Sequence, residues 1–290
     1  MNNQDYLATL INNAKLHIIE CRIDYRSSFE VRNRVLNYYV ASYIKEGSCT
    51  LCIGDKKYET KAGDVVIIPA HIMHDHFKES NDLTCFMWWH FNYTIGDSID
   101  LLSLYDLPVQ FNISNNSRFE EVFSQYLLHA SRTDNIIDYI FAEAKGIELI
   151  GVLLESAIST SESKLYRCAN SVFLEMLCDI LDQPVKYSNL DAIADKYHLH
   201  PTYISNQFKR NFNISPISLA RKICLGKAQQ LLAYDSLSIN EIASKLGYEV
   251  PGNFTRFFKM KVGITPQQFR TAKNRGDQDL AHAAAFDAKH

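Results

Sequence analysis

The apolar positions divide the chain into a β-rich first part and a helical remainder. Between residue 17 and about residue 91, short segments rich in Val, Ile, Tyr and Phe are separated by Gly and Pro, which is typical of short strands joined by turns. Regularly spaced short strands favour a small sandwich or barrel over a parallel sheet. Over residues 115–159 the apolar residues recur every three or four positions, which predicts two helices packed on the barrel. Residues 1–15 are polar and predict a mobile arm or a short helix.

Two short segments near the C-terminus, 201–210 and 251–260, repeat one pattern. Each begins with Pro, carries apolar residues four positions apart and has a cation near its end, which predicts a short helix with one buried edge. A further helical segment and a tight turn precede each one, over residues 189–199 and 238–248. Helix, turn and helix with a polar outer face is the helix-turn-helix arrangement. Two such units in tandem, joined by a helical run over 217–233, are a far more specific signal than one.

The stretch from Gly247 to Arg270 resembles the motif of AraC/XylS-type transcription regulators. It has the family's Phe-x-Arg-x-Phe-Lys at 254–259, followed by a Gly, an x-Pro pair and a closing aromatic-Arg pair. The resemblance covers roughly residues 165–273. It implies an all-α DNA-binding domain at 164–273, in which two helix-turn-helix units place their second helices in the major groove about one duplex turn apart. Double-stranded DNA is then the main partner, with RNA polymerase as a second one.

The helical period places the DNA-facing side chains of both predicted recognition helices on one polar edge. Arg256 is the strongest candidate for a base contact, because a guanidinium can bond guanine O6 and N7 together. Cations at the helix ends are expected to hold phosphates, although such cations also favour the helix dipole. The predicted base-facing residues are Thr202, Ser205, Asn206, Gly252, Asn253 and Arg256, and the predicted phosphate contacts are Lys209, Arg210, Lys259 and Lys261.

Two positions depart from the family pattern where a helix begins. His200 and Val250 precede the recognition helices where the family has Ser, or Asp and Ser. Neither is expected to cap the helix, and a missing cap costs about 1 kcal/mol. Gly252 also offers no side chain where a polar one usually faces the bases, which weakens the expected base contacts of the second helix.

Charge is distributed unevenly along the chain. The formal net charge is −3, but residues 188–273 contain 12 Lys or Arg against 5 Asp or Glu. A basic C-terminal part beside an acidic remainder is the electrostatic footprint expected for phosphate contact. A solvated basic surface would give the same balance, so charge alone does not decide between the two.

Cysteine usage and hydropathy indicate a cytoplasmic protein without a membrane partner. The seven cysteines are odd in number and scattered, with no secretory leader before them. Cys49 and Cys52 have a C-x-x-C spacing, but on a strand these positions point to opposite faces, so neither a disulfide nor a shared metal is expected. No apolar run approaches the roughly 20 residues that span a bilayer.

The segments 62–74 and 87–91 resemble the cupin-type sensor domain that precedes this DNA-binding module in the same family. The resemblance implies a jelly-roll barrel at about 15–110 whose mouth holds a small molecule, within a sensing and dimerisation domain at 1–160. Strand alternation places Phe86, Trp88 and His90 on one face. Similarity to sugar-sensing members implies a carbohydrate pocket, for which aromatic rings and hydrogen-bonding groups are suited. Its predicted lining is Arg32, His76, Phe86, Trp88 and His90, although aromatic residues in a barrel are also ordinary core residues.

An enzyme is one alternative. Histidines at 71, 74, 76 and 90 could attract a metal, and a cupin isomerase or dioxygenase with a helical appendage would hold iron, manganese or zinc. However, the stretch after Gly47 lacks the His-x-His and Glu ligands by which metal-dependent cupins resemble one another. We therefore predict no metal, no cofactor and no catalytic residue.

A second alternative keeps the regulator but lets a partner protein, or dimerisation alone, control it. The helices at 115–159 are where the family resemblance implies a homodimer. The overall prediction is an α+β, two-domain chain: a cupin-like jelly roll with packed helices, then a tandem helix-turn-helix domain. A linker is expected at 159–163, a helix at 166–181 and a disordered tail at 274–290.

Overall fold

The computed structural model describes residues 3–132, 135–159 and 171–274. Within these, residues 15–94 and 100–159 form one compact unit, and residues 3–14, 95–99 and 171–274 form the other. The predicted linker after residue 159 and the predicted tail after residue 274 lie outside the described residues.

Strands make up most of the first unit. The structure describes β1 (Ala14–Arg26), β2 (Glu30–Arg34), β3 (Tyr39–Glu46), β4 (Ser48–Ile53), β5 (Lys56–Lys61), β6 (Asp64–Ile68), β7 (His74–Phe77), β8 (Thr84–Ile95), β9 (Ile99–Asp100) and β10 (Gln110–Asn112). One sheet has the order β1-β8-β3-β6-β10, with β9 beside β8, and the other has the order β2-β7-β4-β5. First strands thus pair with last ones, from β1 with β8 inward to β4 with β5, which is the nested pairing of a jelly roll.

The two sheets share a core. Val40 and Val66 of one sheet pack with Leu51 of the other, and all three are buried. On the outer face of β8 the indole of Trp89 packs against helix α2 (Asn116–Ala130), with ring centroids 5.7 Å from Phe119. Helix α3 (Ile136–Ser159) lies against α2, so the two predicted helices do cover the sheet.

The second unit is helical. It contains α1 (Asn3–Asn12), α4 (Ser171–Asp182), α5 (Leu190–Tyr197), α6 (Pro201–Phe212), α7 (Pro216–Tyr234), α8 (Ile239–Leu246), α9 (Pro251–Val262) and α10 (Pro266–Asn274). Helix α1 packs on α4 in this unit, whereas the predicted boundary placed residues 1–15 with the barrel. The predicted α+β fold class, with a sheet-rich first part and a helical second part, is confirmed.

Left-handed residues end the helices at matching places. His198 after α5 and Gly247 after α8 have φ of 53° and 96°, and Asn213 and Gly263 do the same after the recognition helices. A residue with positive φ ends a helix and turns the chain, which sets the tight turn between the two helices of each helix-turn-helix. Both helix-turn-helix motifs therefore have the same backbone conformation at these positions, although the residues differ.

The prediction that His200 does not cap the first recognition helix is wrong. The imidazole Nδ1 of His200 accepts a hydrogen bond from the backbone N–H of Thr202 at 3.3 Å, so His200 does cap α6. Its Nδ1 is as close to its own backbone as the oxygen of an Asn side chain, which explains the capping. Val250 makes no side-chain cap, as its aliphatic side chain requires.

Candidate nucleic-acid interface and ligand pocket

The first helix-turn-helix is held by one apolar edge of α6. Ile204, Phe208 and Phe212 recur every four residues and are buried, and the rings of Phe208 and Phe212 meet at 4.6 Å. Helix α5 contributes Ile193, which is 1% exposed. Because this edge is fixed in the core, the opposite edge of α6 must face outward.

The second helix-turn-helix repeats this arrangement in α9. Phe254, Phe258 and Val262 are buried at the same spacing, in one cluster with Ile242 of α8 and Phe269 of α10. The ring centroids of Phe258 and Phe269 are 5.4 Å apart. The repeated pattern seen in the sequence is thus the repeated packing of two recognition helices.

The predicted DNA-facing residues share the outer edges of α6 and α9. Arg256 Nη2 donates a hydrogen bond to Asn253 Oδ1 at 3.0 Å, so the two side chains are presented together. Thr202, Asn206, Lys209, Arg210, Gly252, Asn253, Arg256 and Lys259 are exposed, whereas Ser205 and Lys261 are half-buried. This is a surface of hydrogen-bonding groups and cations without a carboxylate, which suits a nucleic acid.

Helix α7 connects the two helix-turn-helix motifs. Its 19 residues make it about 28 Å long. Half-sites one duplex turn apart are separated by roughly 34 Å. The connecting helix therefore has a length suited to recognition helices that enter successive turns of one groove.

A cavity of about 240 Å³ lies inside the first unit. Phe86, Trp88 and His90 of β8 line it together, in agreement with their predicted common face. The ring centroids of Trp88 and His90 are 4.7 Å apart. The full lining is Glu20, Arg26, Phe29, Val31, Arg34, Val40, Ser42, His76, Phe86, Trp88 and His90.

Arg32 does not line the cavity, contrary to the prediction. Its guanidinium lies 2.7 Å from Glu30 and 3.2 Å from Asp75, over the ring of Phe77 on the exposed surface. Arg32 directly follows the inward-facing Val31, so strand alternation turns it outward. An irregularity in the pairing of β2 with β7, between Val31 and Arg34, lets Arg34 face inward as well, although it is three residues from Val31.

Two lining residues of β1, Glu20 and Arg26, were missed by the prediction. They are even-numbered positions of one strand and share a face with Asp24, which does not itself line the cavity. The indole Nε1 of Trp88 donates to Asp24 Oδ2 at 3.0 Å, and Arg26 pairs with the same carboxylate. Burial opposes ionisation of Asp24, but these hydrogen bonds prevail and lower its pKa. Strand alternation along β1 could have placed Glu20 and Arg26 on one face.

The cavity histidines are neutral. Burial, with help from nearby cations, lowers the pKa of His76 to about 3. Burial and Arg34 lower the pKa of His90 to about 4, although Glu20 acts in the opposite direction. Neutral imidazoles offer one donor and one acceptor each, which suits hydroxyl groups. His76 already uses Nε2 against the Cys49 thiol at 3.1 Å.

We predict a specific acid sensitivity from His90. Its pKa of about 4 in the folded protein lies below the ordinary value near 6.5, so the unfolded chain binds more protons below that value. The contribution of His90 to the free energy of unfolding is therefore fully present above pH 6.5 and is lost as the pH is lowered. The loss from this group is about 1.4 kcal/mol at pH 5.5. His90→Gln should remove that part of the pH dependence between pH 7.5 and 5.5.

Tryptophan fluorescence in urea measures this prediction, because both tryptophans lie in β8. His17→Gln replaces an exposed histidine of the same sheet and controls for the loss of a histidine as such. An unchanged pH dependence in His90→Gln would contradict the neutral histidine.

The structure bears on three further points: metal sites, membrane spans and the cysteine pair. Among the described residues, no group of three or more His, Cys, Asp or Glu is placed to hold a metal ion. No helix in the part of the chain that the structure describes has the length and apolar character of a membrane span. Cys49 is buried and Cys52 is half-buried, and both are free.

Comparison with known proteins identifies both parts of the chain. Residues 17–150 match the model of the AraC-like ligand binding domain, and residues 193–272 match a helix-turn-helix domain. The raffinose operon transcriptional regulatory protein RafR of Pediococcus pentosaceus is 25% identical, covering 82% of this chain and 86% of RafR. The Msm operon regulatory protein of Streptococcus mutans is 22% identical, covering 80% of this chain and 84% of that protein.

Among solved structures, the chain is similar to the C-terminal domain of AraT, a response regulator from Geobacillus stearothermophilus. The two are 30% identical, with 36% of this chain and 86% of that one covered and a TM-score of 0.31. The matched relatives are named as regulatory proteins, and the C-terminal domain model describes a helix-turn-helix domain, so these matches indicate a transcriptional regulator and not an enzyme. The chain is a DNA-binding transcriptional regulator of the AraC family, with an AraC-like ligand-binding domain followed by a helix-turn-helix domain.

Proposed function

We propose that this regulator senses a small carbohydrate in its barrel and that the bound sugar changes how two subunits hold operator DNA. The observation that carries the proposal is the cavity wall of Trp88 and His90, with Phe86 beside them. Aromatic faces stack on the apolar face of a sugar ring, and neutral histidines and Ser42 supply hydrogen-bond partners for hydroxyls. A cavity of about 240 Å³ is below the roughly 300–1,000 Å³ typical of drug-sized ligands, which favours a monosaccharide.

The relatives support a carbohydrate. RafR is named as the transcriptional regulatory protein of a raffinose operon. This chain aligns with RafR over most of its length, including the ligand-binding part. We extend the sugar class to this chain, and not raffinose itself, because of the size of the cavity.

The test is a sugar panel against the whole protein. A ligand that binds only the native state raises the melting temperature, by an amount that grows with its concentration over Kd. We expect one monosaccharide to raise the midpoint and to change the fluorescence of Trp88. Trp88→Leu should abolish the shift, while Leu83→Ala, which removes an exposed side chain outside the cavity lining, should keep it. No shift with any sugar would favour control by a partner protein instead.

DNA contact is proposed for the outer edges of α6 and α9. Arg256 and Asn253 are expected at base edges of one half-site, and Asn206 with Thr202 at the other. The helix-end cations Lys209, Arg210 and Lys259 hold phosphates in this proposal. We place this activity in the cytoplasm, where the operator and RNA polymerase are.

A homodimer is proposed through the start of α3. Ile136, Tyr139 and Ile140 are 75%, 66% and 58% exposed, and Ile137 and Phe141 are exposed as well. An exposed apolar patch on a polar protein marks an interface. A second copy fits, because the patch is part of one helix and can meet its own copy across a two-fold axis.

Ile140→Glu should weaken this dimer at least tenfold, since it places a charge in the apolar interface. Sedimentation at several protein concentrations measures the dissociation constant. Glu143→Gln, an exposed polar change one turn further along α3, should leave it unaltered. A dimer of wild-type strength in Ile140→Glu would place the interface elsewhere.

A further inference from the structure

The charged groups of the cavity are unequally paired. The lining contains two guanidiniums, of Arg26 and Arg34, and one carboxylate, of Glu20. Arg26 lies 2.6 Å from Asp24, and Glu20 lies 2.9 Å from Arg22. Two of the three charged lining side chains, Arg26 and Glu20, are therefore already paired within β1.

Arg34 is the exception. Within the described ranges, its side chain makes no hydrogen bond and no ion pair. It contributes to the lowered pKa of His74, His76 and His90, so its charge stands near all three. A histidine side chain is neutral or positive, so none of the three supplies a counter-charge to Arg34. A half-buried guanidinium without a carboxylate keeps five hydrogen-bond donors available to whatever enters the cavity.

The inward position of Arg34 follows from the backbone of β2. The irregular pairing of β2 with β7 between Val31 and Arg34 turns Arg34 inward, while Arg32 two positions earlier faces outward and is paired twice. Regular alternation would have put both arginines on the same side of the strand. Two arginines of one short strand thus have opposite environments, one saturated by carboxylates and one free of them among the described residues.

We propose that the effector carries an anionic group, a carboxylate or a phosphate, that binds the guanidinium of Arg34 while its ring stacks on Trp88. A guanidinium binds carboxylate and phosphate through two parallel hydrogen bonds, which gives it orientation as well as attraction. The cavity has room for a sugar acid or a sugar phosphate of monosaccharide size. The inference rests on the proposed carbohydrate function and narrows it to acidic monosaccharides.

The test compares each acidic sugar with its neutral parent. Calorimetric titrations use galacturonate and galactose, glucuronate and glucose, and glucose 6-phosphate, so that the carboxylate and phosphate arms are separate. We expect one acidic sugar to bind at least tenfold more tightly than its parent. Arg34→Gln should remove that preference, so that the acidic sugar and its neutral parent bind with similar affinity. Arg32→Gln, the matched control outside the cavity, should behave as the wild type.

The outcomes separate the two levels of the proposal. Equal binding of acid and parent, or a preference that survives in Arg34→Gln, overturns the anionic effector and leaves sugar sensing intact. Failure of every sugar, acidic or neutral, overturns both. If Arg34→Gln does not fold, as judged by Trp fluorescence, Arg34→Lys replaces it. That variant keeps the charge and loses the paired hydrogen bonds, so it should retain only part of the preference.

Discussion

Phe258→Ala is expected to lower the free energy of unfolding of the helical unit by about 3–5 kcal/mol, the range typical of removing a fully buried Phe. The side chain of Phe258 is 0% exposed and lies between Phe254 and Phe269. Truncation leaves a cavity between the rings of Phe254 and Phe269, which belong to the same cluster. Helical circular dichroism in urea measures the loss. Specific DNA binding should be lost with it, because this buried edge holds α9 in place.

Met260→Ala is the matched control. It shortens a large apolar side chain in the same helix, but Met260 is 68% exposed, so the change should stay within about 0.5 kcal/mol. A loss in Phe258→Ala that is no greater than in Met260→Ala would mean that α9 does not use this edge as its core.

Arg256→Ala should reduce the preference for operator over random DNA by about 1–3 kcal/mol, or roughly 5-fold to 150-fold. Arg256 is exposed and its guanidinium is bonded to Asn253 Oδ1 at 3.0 Å, so the two groups can address neighbouring base edges. Competition titrations with operator and random duplexes at several salt concentrations measure the preference. Arg256→Lys keeps the charge but not the paired hydrogen bonds, so it should lose most of the preference as well.

Lys259→Ala provides the contrast. As a phosphate contact, Lys259 should weaken operator and random DNA by a similar factor and reduce the salt dependence by about one counterion. If Arg256→Ala behaves like Lys259→Ala, with the ratio of the two affinities unchanged, Arg256 holds the backbone and does not contact bases.

Much of the fold could be predicted because local patterns and packing agree. The Phe254 and Phe258 spacing fixes which edge of α9 is buried, so the outer edge with Asn253 follows from helix geometry alone. Alternation along β8 likewise placed Phe86, Trp88 and His90 together, since no irregularity interrupts that run of the strand.

The expectations that differ from the structure concern features that residue types alone do not show. Arg32 and Arg34 differ in environment only because the pairing of β2 shifts, and a shift of this kind leaves no mark in the residue types. The cap at His200 depends on a rotamer that brings Nδ1 to the next N–H, which residue preferences underestimate. Helix α1 has ordinary helical composition, and nothing in residues 3–12 specifies that it packs on α4.

Selection of bound duplexes from a random library, with wild-type protein and Arg256→Ala, tests whether α6 and α9 contact DNA together. We expect a wild-type site of two blocks whose centres are about 10–10.5 base pairs apart, one for each recognition helix. Arg256→Ala should lose the consensus of one block and keep the other. A single block, or two blocks that both survive the substitution, would contradict the proposal that α6 and α9 contact DNA as a pair.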